Sequence, residues 1–282
     1  MRRSGPVSAP VGYGPGDHLC WMYEGEQAWR DVAVRYLHDG AQGHDRLWYV
    51  ADKVEAKLVD DLTGLPSRDA MLDSGQLRVL PLTHAYGPMQ TFEAARKIEA
   101  LNGEALAAVE AGYRGLRLAA EASPLGANRD DARRFAGYEL LVDAMVAATP
   151  LSLLCGYDQH HVAKEAAAAL RFVHPLRHGG NGDLGAGLYA EGGGRWRLSG
   201  ELDLTNQDAL DVALAALPAT QDVHLDLGGL HFIGVAGVRS LVTLAARLTP
   251  TWRLVLHDSP CVLKRVLEVG WADVPGLEIV GS

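Results

Sequence analysis

The sequence predicts an α/β protein in two parts, a parallel sheet with helices on both faces followed by a smaller mixed sheet with helices. Three observations carry that expectation. From Asp17 to Pro175, short apolar or β-branched runs alternate with helical-period stretches long enough to serve as parallel crossovers. One of those runs, LSLLCGY at Leu151–Tyr157, is apolar nearly throughout, so it is expected at the centre of a sheet covered on both faces. Half of the residues from Gly179 to Gly194 are glycine, which places a linker or loose hairpin there rather than core. With 282 residues, the chain is long enough for a core on either side of that stretch.

Asp17–Tyr23 (DHLCWMY) opens the first part as a strand. The helix after it, Gln27–His38, brings Trp29, Val32, Ala33, Tyr36 and Leu37 to one face, and Gly40 and Gly43 stop it. Arg46–Val50 is a strand by its aromatic and β-branched content, Val54–Leu62 a helix, and Leu77–Leu80 a strand ended by Pro81. A long helix runs from about Gln90 to Ala111 and packs through Phe92, Ala95, Ile98 and Leu106, with Gly103 marking a break. Leu116–Ala120 is the fourth strand. Asn128–Ala148 is a helix with Phe135, Tyr138, Leu141, Val142 and Met145 facing in, Leu151–Tyr157 is the fifth strand, and Ala163–Leu170 is the last helix before Val173–Pro175.

In the second part Arg195–Leu198 is a strand that ends in a polar turn at Gly200, and Gln207–Leu217 is a helix capped by Thr205 or Asn206. Val223–Leu241 reads as a strand, a glycine-containing turn and the start of a helix. Val223, Leu225 and Leu227 alternate, then Val238, Leu241, Val242, Ala245 and Leu248 return at helical spacing. Arg253–Leu256 (strand) and Cys261–Val269 (helix) complete it. A strand-to-helix turn is a usual place for a ligand or partner to bind, although the side chains here are mostly unreactive.

A net charge of −9 offers no basic footprint for a phosphate backbone, which argues against nucleic acid. No apolar run reaches the roughly 18–20 residues of a spanning helix. Residues 1–16, MRRSGPVSAPVGYGPG, lack the apolar centre of a signal peptide and read as a disordered lead-in. Three cysteines, Cys20, Cys155 and Cys261, are too few and too far apart for a disulfide framework, so the cytoplasm is the expected compartment.

His18, Cys20, Cys155 and His174 have side chains that suit zinc, or heme through His or Cys, and lie at strand or loop ends that a parallel sheet brings together. In an extended strand His18 and Cys20 share a face. Against this, a free cysteine in an apolar strand is more often a small buried hydrophobe, so no metal or cofactor is assigned and the set is read as part of a pocket for an unnamed small ligand. Asp158 follows the fifth strand and Glu121 the fourth, at the carboxyl ends where parallel sheets bind ligands. The competing reading of Asp158 is a cap or loop hydrogen bond. Tyr23 and Trp21 supply aromatic wall, and His160 and His161 read as exposed loop residues. The stretch CWMYEGEQAW after the first strand has one glycine and no lysine, so it is no phosphate-binding G-x-x-x-x-G-K loop, and no G-x-S-x-G elbow occurs. No catalytic residues are assigned.

Two family resemblances rest on these residues. SGELD at Ser199–Asp203 followed by DLGGLHFIGVAG at Asp226–Gly237 resembles the STAS domain of anti-sigma factor antagonists. In that family the turn reads roughly F-hydrophobic-D-S-S-G, and the second Ser accepts phosphate. Asp226 matches the strand aspartate and Phe232–Ile233 the apolar pair, while Gly234, Val235, Ala236 and Gly237 stand where Asp, Ser, Ser and Gly usually stand. Ala236 has no hydroxyl, so the resemblance implies a docking domain without that phosphorylation switch. It also implies a partner, an anti-sigma factor or kinase, on the face of Asp226, His231, Gly234, Ala236 and Arg239.

GDHLCWMY, LLCGYD and FVHP, carrying His18, Tyr23, Cys155, Tyr157, Asp158, His174 and Pro175, resemble the MEDS domain of methanogen and methylotroph sensory proteins. That resemblance implies a three-layer sheet related to the RecA/KaiC-like ATPases, and a sensory role in bacterial regulators. The expected organisation is a disordered leader at 1–13, a MEDS-like domain at 14–178, a glycine-rich linker at 179–194 and a STAS-like domain at 195–282. The expected function is a non-enzymatic signalling regulator, with a homo-oligomer compatible. The alternatives are a RecA-like nucleotide-using enzyme and an adaptor that holds no ligand.

Overall fold

In the computed structural model, which describes residues 2–87, 93–179, 185–271 and 273–280, two sheets share one continuous core. The first sheet and its helices are, in chain order, β1 (Gly5–Pro6), β2 (His18–Tyr23), α1 (Glu26–Gln42), β3 (Arg46–Ala51), α2 (Glu55–Asp61), α3 (Arg68–Asp73), β4 (Leu77–Pro81), α4 (Leu82–Tyr86), α5 (Ala94–Glu110), β5 (Leu116–Glu121), α6 (Arg129–Val146), β6 (Leu151–Asp158), α7 (Lys164–Phe172) and β7 (Leu176–His178). The second comprises β8 (Ala186–Gly192), β9 (Arg195–Leu202), α8 (Gln207–Ala216), β10 (Val223–Asp226), β11 (Leu230–Ile233), α9 (Val235–Leu248), β12 (Leu254–His257), α10 (Cys261–Gly270) and β13 (Leu277–Val280).

The first sheet is parallel throughout, in the order β1-β7-β2-β6-β5-β3-β4. The apolar run expected at its centre is β6, buried along all eight residues between β2 and β5. One face of the sheet meets α1 through Trp29, Tyr36 and Leu37. Gly156 of β6 lies so close to α1 that a Cβ there would fall inside the Trp29 ring, hence the glycine in an otherwise bulky strand. The other face carries Cys20, Leu118 and Leu153 against α6 and α7. Those two helices in turn pack on α8 and β8 of the second sheet, so α6 and α7 are buried from both sides.

The second sheet runs β11-β9-β10-β12-β13 in parallel, with β8 added antiparallel to β9. Two expectations change here. The glycine-rich stretch forms strand from Ala186, and Ala186, Leu188 and Ala190 are core residues, because Gly192–Gly194 make the hairpin bend while these small and apolar side chains face inward; residues 180–184 of the expected linker lie outside the described residues. Gly200 is not a turn: β9 continues to Leu202, and Gly200 has φ +91° with the Gly185 carbonyl where a Cβ would stand. The chain needs glycine there to pair with β8 and β11 at once.

The lead-in is ordered from Arg2. Gly5 and Val7 donate to the Pro175 and Arg177 carbonyls at 2.8 Å, and the Arg2 guanidinium is buried against Asp143 at 2.7 Å. A Gly-Pro strand two residues long leaves no periodic signal, which is why the sequence hides it. The long helix α5 is unbroken at Gly103 and buries Ala105 and Ala108, whereas Ala95 and Leu106 face outward. Its many alanines blur the apolar face. Gln90 and Phe92, expected in this helix, lie outside the described residues. Among the described residues no helix is long and apolar enough to cross a membrane.

Candidate functional site

Residues expected to share one ligand pocket fall into two places. Tyr23, Glu121 and Asp158 line a cleft of about 650 Å³ at the carboxyl ends of β2, β5 and β6. Its aromatic walls are Tyr23, Trp29 and Tyr49, with Tyr23 stacked on Trp29 at 5.5 Å between ring centres. The position follows from the topology, since parallel strands leave their carboxyl ends open between crossover loops.

Glu121, Asp158, Lys53 and Glu26 of this cleft are held by the protein itself. Glu121 accepts from the Tyr23 hydroxyl at 2.8 Å and from the Ser123 N–H at 3.0 Å. Burial, with Glu121 adding to it, pushes the Tyr23 phenol well above its ordinary value. Asp158 accepts from the Gly25 N–H at 3.3 Å and the His160 N–H at 2.9 Å, and has His161 at 3.4 Å. It ties the loop after β2 to the loop after β6, which is the loop hydrogen-bonding alternative. Lys53, the cleft's one lysine, is paired with Asp61 at 2.8 Å and with Glu26. Glu26 also places an acid in the first turn of α1, where a phosphate would need to sit.

His18, Cys155 and His174 lie beneath α6, fully buried and away from the cleft. Glu139 and Asp143, four residues apart on α6, face them. His18 presents Nδ1 to Asp143 at 3.1 Å, and Nε2 to Glu139 at 3.2 Å and to the Cys155 sulfur at 3.5 Å. His174 has its Nδ1 on the Leu170 carbonyl at 2.6 Å and its Nε2 turned to Glu139 at 3.7 Å, where it makes no hydrogen bond. Tyr157 donates to Glu139 at 3.3 Å. His18 Nε2, His174 Nε2, the Cys155 sulfur and a Glu139 oxygen all lie within 4.8 Å of one another. Cys20 shares the face, as strand alternation requires, but is not one of this set; its sulfur sits 3.9 Å from Met22.

Burial would push the His18 imidazole down, but the bonds to Asp143 and Glu139 outweigh it and hold the ring above its ordinary value. Asp143 is the reciprocal case: burial raises it, and His18 and Arg2 together bring it below the usual carboxylate range. Burial drives His174 well below its ordinary value, with His18 adding to the effect. Burial and then Glu139 keep the Cys155 thiol well above the usual range, and burial takes Cys20 to about 12.

Glu139, Asp143 and Arg2 were missed from sequence. An acid pair spaced four apart among the apolar residues of α6 was the available signal.

In the second sheet, the turn that resembles a phosphoacceptor loop is the start of α9. Gly234 is its N-cap and Ala236 lies in the first turn. Leu204, Phe232 and Val235 are exposed on neighbouring segments, since Ile233 pairs with Leu202. His231 and Arg239 are exposed beside them. Asp226 is engaged inward, bonded to Arg197 at 2.7 Å and to the Gly228 N–H at 2.7 Å, and so shapes the turn.

Comparison with known proteins follows this division. The family model described as MEDS, the methanogen/methylotroph DcmR sensory domain, matches residues 17–175. The model described as the Mlab STAS domain matches residues 191–278. No curated protein matches the chain.

Proposed function

We propose, from the premise that the chain belongs to the MEDS sensory-domain family and carries a STAS domain behind it, that a small organic molecule in the Tyr23–Trp29–Tyr49 cleft controls protein docking by the second sheet. The two families make the chain a signalling regulator, and STAS domains mediate protein–protein interaction. The ligand, the partner and the control between them are the proposal.

The observation that carries it is a cleft with aromatic walls in which Glu26, Glu121, Asp158 and Lys53 are already bonded to other groups of the protein. Such a site suits binding by shape and apolar contact. A polyphosphate would meet Glu26 and find no free lysine, which counts against the nucleotide-using alternative. On the second sheet the exposed Leu204, Phe232 and Val235 supply an apolar docking surface next to Ala236. An alanine there cannot take phosphate, so control passes to the first sheet. The partner class that fits is an anti-sigma factor or its kinase. The pairing of β7 and β8 in different sheets supports a boundary between the two parts in that interval.

A thermal-shift screen of small organic molecules against the full-length chain and Tyr23→Ala tests the ligand reading. Compounds that stabilise the parent and lose their effect in Tyr23→Ala support it. A screen without such compounds, or with shifts equal in both proteins, overturns it.

A further inference from the structure

The geometry points to a zinc site at His18, Glu139, Cys155 and His174, a four-coordinate centre buried beneath α6, separate from the cleft and independent of what the cleft binds. Four of the six donor separations are 3.2, 3.5, 3.7 and 3.7 Å and all six lie within 4.8 Å, against tetrahedral edges of about 3.3 to 3.6 Å for Zn–N near 2.0–2.1 Å and Zn–S near 2.3 Å.

Three further features point the same way. Both imidazoles are oriented from behind: His18 Nδ1 faces Asp143, and His174 Nδ1 faces the Leu170 carbonyl. With Nδ1 as the donor, each ring turns the lone pair of Nε2 to the centre, the arrangement by which outer partners fix zinc-binding histidines. His174 Nε2 is fully buried and has no hydrogen-bond partner, a cost that a metal bond removes. The charges also close. Zinc displaces the Cys155 proton and the proton that His18 Nε2 shares with Glu139 when the ring is charged, both released to solvent, and Zn²⁺ with one thiolate, one carboxylate and neutral imidazoles is neutral, while Asp143 is balanced by Arg2. One sulfur and two imidazoles favour zinc over magnesium or calcium, which prefer oxygen. Four protein donors and no open position describe a structural centre, one that pins β2, β6, α6 and the turn before β7 together.

The test uses the full-length chain without an affinity tag. Elemental analysis after dialysis should give one zinc per chain. Cobalt(II) exchanged into the site should show a thiolate-to-metal charge-transfer band that survives in Cys20→Ser and Cys261→Ser and is lost in Cys155→Ser. Asp143→Asn should weaken zinc binding about 10- to 100-fold. If Cys155→Ser does not fold, the other two single variants still assign the band, because the chain has only three cysteines. Absence of both stoichiometric zinc and a cobalt–thiolate band overturns the assignment. So does a band that disappears with Cys20 or Cys261.

Discussion

Asp143 joins His18 to the second sheet: its Oδ1 stands 3.1 Å from His18 Nδ1, while its Oδ2 accepts the Ala190 N–H of β8 at 2.7 Å. Arg2 binds the same Oδ2 and the Ala190 carbonyl at 3.0 Å. One buried carboxylate therefore holds the N-terminal segment, the first sheet and the second sheet.

Asp143→Asn removes the charge that balances the buried Arg2 guanidinium and weakens the bond that orients His18 Nδ1. The expected loss is about 3–5 kcal/mol in unfolding free energy, measured by urea denaturation. A loss near zero would mean that Asp143 acts only as a hydrogen-bond acceptor.

Gly200→Ala puts a Cβ into the Gly185 carbonyl at a φ of +91°. The pairing of β8 with β9 has to open, and a destabilisation of roughly 2–3 kcal/mol or more is expected, with faster amide exchange in 186–192 than elsewhere in the second sheet. Unchanged exchange there would contradict the close approach.

The turn expected between Leu227 and Val238 instead holds strand β11 (Leu230–Ile233), and α9 starts at Val235. The central apolar strand and the crossover helices were legible because burial on two faces and helical period leave marks on local sequence. Short pieces such as Gly5–Pro6 and Leu176–His178 were not, since their pairing is decided by distant residues. The site divides in the same way. Tyr23, Glu121 and Asp158 could be placed at the cleft because each stands at the carboxyl end of a recognisable strand. The grouping of His18 with Cys155 followed from the pairing of β2 with β6, in which Cys20 lies opposite Cys155 and His18 two residues before it. Glu139 and Asp143 were hidden because an acid on a helix is ordinarily a solvent-facing residue, and here their face of α6 is buried against β2 and β8.

Thiol chemistry separates the three cysteines. Cys20, with its thiol raised to about 12 by burial, stays protonated and inaccessible at pH 8, and Cys155 is likewise buried, while Cys261 is exposed. Ellman's reagent should titrate one thiol in the native chain and three after denaturation. Fast labelling of two or three thiols in native protein would contradict the buried environment of β2 and β6.

Phe232→Asp and Val235→Asp place charge on an exposed apolar surface. Each is expected to change stability by less than about 0.5 kcal/mol. A partner that copurifies with the parent chain should be lost from the double variant, and its retention would move the docking face elsewhere.

The central claim is that occupancy of the cleft alters the docking face. Hydrogen exchange on the full-length chain, with and without a stabilising compound from the thermal-shift screen, measures both places at once. The account predicts slower exchange in 23–29 and 121–126 around the cleft, together with a changed rate in 230–239. Protection at the cleft with no change in 230–239 would contradict control of the second sheet by the first.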